Sequence, residues 1–240
     1  MEEAKRKKDT SQTKTGLLIL TIGYTALAII IGASVFDLLF GLLAPVAGLI
    51  GIVGGLLILL ARDSFGRAHS RNAMVSVLLF IVSVVTIVVG RTLFGVALVL
   101  SRIPNGTITY GTTTSSTVNP YLILYITSTI ATALTGLAIV FLTYALHRKI
   151  GRIILSISSI AFLTLTILMT VLILQGLATD FTVIAVDPSS LQTMRYQYEI
   201  LQLLTVIPTL AFAFTFYLAW SRINRGELPE SITLTTTPAY

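Results

Sequence analysis

Between residues 121 and 146, and again from 153 to 179, the chain carries no charge, yet hydroxyls recur at helical spacing. Tyr125, Ser128, Thr129, Thr132, Gly136 and Thr143 share one face of the first stretch, and Ser156, Ser159, Thr166 and Thr170 share one face of the second. A hydroxyl both donates and accepts a hydrogen bond, so such a face has two uses. It can line a polar path for a solute, with Ser128, Thr132, Ser159, Thr166 and Thr170 as the lining. It can also hold helices together, at about 0.6 kcal/mol per hydrogen bond. Conduction would ordinarily ask for intramembrane charge or broken helices near the midplane, and Pro45 and Pro208 are the breaks on offer.

Asp37 and Arg91 are the ionisable groups set inside long apolar runs. At 1.5 Å per residue, Arg91 stands about 27 Å along a helix that starts at Ala73, the far edge of a bilayer core, and Asp37 comes out at the same depth. Two explanations fit. Each side chain can snorkel to water, or the two can form an ion pair tying the first hairpin to the third apolar run.

Other chemistry lacks its residues. The chain has no cysteine, so disulfides and thiolate catalysis are ruled out. Its two histidines, His69 and His147, have no partner carboxylates at ligand spacing, and no cofactor or metal centre is expected. Motifs of zinc peptidases, serine hydrolases or phosphate-binding loops do not occur. Arg62, Asp63 and His69 read as loop charge at a membrane surface rather than as a catalytic cluster, and no enzymatic activity is expected.

These residues must be positioned by membrane-crossing helices. Residues 16–61 form a run whose only charge is Asp37. A soluble core helix has no reason to be apolar on every face for so long, and a bilayer core of about 30 Å takes about 20 residues to cross. The run is therefore two spans, 17–36 and 38–61. Further spans follow at 73–101, 121–146, 153–179 and 200–221, so the expected fold is an all-α bundle of six transmembrane helices over 16–221. The third span is longer than the bilayer requires and must tilt, project outward or break near Gly90 and Arg91. The overall charged fraction of 11% agrees with a chain embedded in lipid.

Thirteen of the sixteen Lys and Arg residues fall in 1–15, 62–72, 147–152 and 222–240, on one side of the six-span scheme. Basic loops stay in the cytoplasm. Both termini are thus expected inside, with 1–15 a basic segment, 222–240 a disordered tail, and loops 102–120 and 180–198 outside. The net charge of +6 is explained by this topology, so nucleic acid is not an expected partner. The expected partners are the lipid bilayer and other chains in a homo- or hetero-oligomer.

In the second span Gly41, Ala44, Gly48, Gly51 and Gly55 fall on one stripe. Small residues let helix backbones approach closely, so the stripe is expected to pack a neighbouring helix. Pro45 is expected to kink that span. Asn105-Gly106-Thr107 is a glycosylation sequon in an outer loop.

The Ile/Leu/Thr-rich spans, the Gly66-Arg67 and Gly151-Arg152 loops, the Thr/Ser-rich outer loop and the missing cysteine resemble multi-pass membrane proteins of crenarchaea that have no assigned activity. The resemblance implies an archaeal plasma membrane and supplies no functional residue. The leading functional expectation is a non-enzymatic scaffold or accessory subunit of a membrane assembly. The alternative is a small-solute transporter or channel-like permease built on the Ser/Thr faces of spans four and five.

Overall fold

Hydrocarbon offers backbone amides no partner, so a chain this apolar must satisfy them within helices. The computed structural model describes residues 2–102, 120–182 and 188–227, and these form six long helices: α1 (Glu2–Ser34), α2 (Ala44–Leu60), α3 (Gly66–Arg102), α4 (Pro120–Tyr144), α5 (Lys149–Thr182) and α6 (Pro188–Asn224). Each provides a stretch long and apolar enough to cross a bilayer, the second of them, Leu39–Leu60, combining α2 with the 3-10 turn that precedes it. The protein is a multi-pass, all-α membrane bundle.

Several boundaries differ from the sequence reading, each for a local reason. Helix α1 runs through the basic segment 1–15 instead of starting after it. Lys, Arg, Gln and Ala sustain a helix there, and Thr13 and Leu17 are already buried. Pro188 opens α6, so 188–198 is helix where a loop was expected; proline suits a first helical position. Residues 66–72 belong to α3. Helix α3 does not break at Gly90 and Arg91 but continues unbroken for 37 residues, about 55 Å.

Pro45 produces no kink. The turn after α1 closes with the Phe36 and Asp37 amides donating to the Ala33 carbonyl, and Asp37 then starts a 3-10 helix over Leu38–Leu43. Helix α2 begins only after that, with Pro45 in its first turn, where its missing N–H is not needed. The glycosylation sequon at Asn105 and most of the 222–240 tail lie outside the described residues.

Around the bundle the helices follow the order α2, α1, α6, α5, α4, α3, with α3 seated on α4 and α2 touching α4 lightly through Gly55 and Leu142. The core gathers at one end. Leu17, Ile58, Ala73, Leu142, Leu155 and Phe216, one from each helix, meet with Phe65 and Leu146 of the α2–α3 and α4–α5 connections. This basic end is also tied by polar contacts. Gly226, at φ 78°, closes α6 with its amide on the Ile223 carbonyl, while the Glu227 amide reaches Arg222. That closure holds Glu227 3.0 Å from Arg148 and 3.4 Å from Arg222. Arg222 and Arg152 also donate to the Leu146 and Tyr144 carbonyls at the α4 C-terminus, where positive charge is favourable.

Candidate functional site

The hydroxyl face of α4 meets that of α5 away from the basic end. Tyr125, Ser128, Thr129 and Thr132 of α4, Thr166, Met169, Thr170 and Ile173 of α5, and Tyr198 of α6 surround a cleft of about 130 Å³. A share of about 30 Å³ per liquid water makes this roughly four waters' worth of space. Four of the five polar-path residues named from sequence, Ser128, Thr132, Thr166 and Thr170, come together here. Ser159, two helical turns nearer the basic end, is half-buried on α5 and lies outside the lining.

Within the cleft the hydroxyls divide into two groups. Thr129 bonds the Tyr125 carbonyl at 2.9 Å and Thr170 bonds the Thr166 carbonyl at 2.9 Å, and the two hydroxyls meet at 2.6 Å across the α4–α5 boundary. Thr166 donates to the Phe162 carbonyl. These groups are satisfied by the protein. Tyr125, Ser128, Thr132 and Tyr198 have no side-chain hydrogen-bond partner among the described residues. Four donor–acceptor groups from α4 and α6 therefore remain available to whatever enters.

An aromatic cluster lies toward the basic end from the cleft. Phe162, one turn below Thr166, stands edge-on to Phe212 at 6.3 Å, and Tyr24 packs on Phe212 and Phe216 at 5.5 and 5.2 Å. A larger hollow of about 570 Å³ lies beside the first turns of α6, but its described lining, with Arg195 and Glu199 paired at 2.8 Å, comes from that helix alone. Convergence of three helices distinguishes the smaller cleft.

The other sequence-level sites are placed as follows. Asp37 accepts from the Leu39 amide at 3.0 Å, and no ion pair joins it to Arg91 among the described residues. Arg91 is exposed on α3, which packs on α4 rather than on α1. On α2, a Cβ added at Gly48 or Gly51 would meet nothing within 4 Å and at Gly55 only an ordinary contact, as would one at Gly41 in the preceding 3-10 turn. Ala44 is half-buried. The line that packs is rotated from that stripe: Ala47, Gly54 and Ile58 are buried, and Gly54 lies directly against Gly16 of α1.

His69 and His147 are both buried at the basic end. Neither belongs to a group of three or more His, Asp or Glu side chains, since none forms among the described residues. Burial pulls the His147 imidazole down to about 4, and the Arg222 and Arg152 charges push the same way.

Sequence reasoning missed Tyr198 because it placed that residue in a loop. The signal was available: Tyr198 lies one helical turn before Gln202 in a run with no Gly or Pro from Ser189 to Ile207. It also missed Ser83, whose hydroxyl reaches the Ala131 carbonyl and the Thr135 hydroxyl, both at 2.8 Å, across the α3–α4 contact.

Fold and cleft together define a six-helix integral membrane bundle with an uncharged, hydroxyl-lined cleft. Comparison with protein-family models, curated proteins and solved structures finds no match for the chain.

Proposed function

We propose that the protein is a small-solute permease whose solute site is the α4–α5–α6 cleft. The observation that carries this reading is the division of the hydroxyls. Helix-joining hydroxyls are expected to be spent on carbonyls or on one another, as Thr129, Thr166 and Thr170 are. Tyr125, Ser128, Thr132 and Tyr198 are not spent this way, although polar groups left unpaired in a membrane are costly. A scaffold has no use for them; a solute does.

In this reading Phe162, Phe212, Phe216 and Tyr24 close the cleft on the basic side. Passage requires them to part. Pro208 lies one turn before Phe212 and removes one backbone bond from α6, which supplies a place for that helix to bend. The proposed setting is an archaeal plasma membrane with both termini cytoplasmic and the α3–α4 and α5–α6 connections outside, as the Lys and Arg distribution favours.

The natural chain has no cysteine, so a single Thr132→Cys substitution gives a clean probe. In proteoliposomes, flux of at least one solute from a panel of salts and neutral solutes should exceed that of protein-free vesicles. A bulky water-soluble thiol reagent should block it in Thr132→Cys and leave the natural chain unaffected. Absence of flux for every solute tested sinks the permease reading.

A further inference from the structure

Resting on the permease reading, we infer that the cleft takes a small uncharged solute bearing both hydrogen-bond donors and acceptors, of the polyol or small-amide class, and excludes ions. None of the nine described lining residues is a carboxylate, an ammonium, a guanidinium or an imidazole. An ion entering would shed water without meeting a counter-charge, a penalty of several kcal/mol even in real proteins. The nearest charge in sequence, Glu199, follows Tyr198 but pairs with Arg195 beside the separate hollow on α6.

The groups that remain open are all hydroxyls, and each can give one hydrogen bond and accept others. Tyr125, Ser128 and Thr132 climb one face of α4 at i, i+3 and i+7, a ladder rising about 10 Å. Tyr198 faces the same space from α6. A molecule whose own hydroxyls or amides repeat along a short carbon skeleton can satisfy such a ladder and be satisfied by it. Met169 and Ile173 supply an apolar wall for the skeleton. The cleft volume of about 130 Å³ has room for about four to six non-hydrogen atoms, by comparison with the space water occupies.

Glycerol and urea are the probes. Purified full-length protein in liposomes is followed by light scattering after an osmotic step with each, and by conductance in potassium chloride. Glycerol or urea should enter several-fold faster than in protein-free vesicles, with no conductance above background. Ser128→Ala combined with Thr132→Val should return entry to the protein-free rate, while Thr86→Val, a hydroxyl removed from α3 outside the cleft, should leave it intact. Ser128 is exposed and neither cleft hydroxyl bonds another residue, so the double variant keeps the packing. Conductance without glycerol or urea entry would overturn the solute class and leave the permease reading standing. Entry that the double variant does not alter would remove the cleft as the site. Failure of every solute, ions included, would end the permease reading and this inference with it.

Discussion

The α1–α2 and α4–α5 contacts are both crossings of apolar helices, and they are built in opposite ways. At α1–α2 a Cβ on Gly16 would lie 2.6 Å from the Gly54 carbonyl oxygen, and one on Gly54 would lie 2.8 Å from the Gly16 oxygen. Backbone meets backbone and no space remains. A Cβ on Gly23, further along α1, would lie 3.1 Å from a methyl of Ile50, a looser approach to a side chain. At α4–α5 the helices touch more sparingly, the Thr129–Thr170 bond crosses between them well away from the Arg152–Tyr144 contact of the basic end, and a cleft opens beside it. Glycine brings helices together by removing side chains. Threonine holds them at the distance of its own hydroxyl. The first device makes a rigid pair; the second leaves a polar gap, and the candidate site lies in the gap.

The largest expected effect tests the rigid pair. Gly54→Leu must push α1 and α2 apart against backbone atoms that cannot yield, at a cost on the order of 1–3 kcal/mol or more. Its melting temperature in detergent should fall well below that of Gly48→Leu, which adds a side chain to open space. If the two variants melt alike, or Gly48→Leu is the worse, the Gly41–Gly55 stripe is the contact face after all, against something other than α1.

A medium effect probes where α4 and α5 are joined tightly, at the basic end. Folded His147 stays neutral down to about pH 4, whereas an unfolded histidine takes its proton near pH 6.5. The unfolded chain therefore binds the extra proton between those values, and stability falls as pH drops through that window. His147→Asn should remove this part of the loss, so the gap in melting temperature between variant and natural chain should shift in the variant's favour by a few degrees from pH 7 to pH 4.5. A gap that is constant with pH means His147 is not held neutral.

A smaller effect concerns the bond across the gap. Thr129→Val and Thr170→Val, alone and together, should show a coupling of about 0.6 kcal/mol, typical of hydrogen bonds between membrane helices. Full additivity would show that the two hydroxyls do not bond, and the gap would then be held by apolar packing alone.

The smallest is an expected absence of coupling. Asp37→Ala loses the cap on the 3-10 turn, and Arg91→Ala removes an exposed charge on a helix that packs elsewhere. Their effects on melting should add, within the few tenths of a kcal/mol usual for distant sites. Rescue by the charge exchange Asp37→Arg with Arg91→Asp would bring the two residues together and α3 closer to the first hairpin.

Amino-acid sequence alone determined what depends on composition and local period. Six apolar runs longer than a bilayer core, separated by short polar segments, admit hardly any other all-α arrangement, because backbone in lipid has to be helical. The hydroxyl faces of α4 and α5 were also legible, since a helix fixes which residues share a side. Rotation and neighbours were not. In water a helix turns its apolar side inward, but in lipid every side is apolar, so nothing in the hydropathy says which face of α2 meets α1. Small residues mark more than one line on that helix, and only packing selected the line through Gly54 over the one through Gly48. The same holds for Tyr198. Its sequence neighbours do not tell that α6 starts early enough, and turns far enough, to close the cleft from the third side; that was decided by the way α6 packs between α1 and α5.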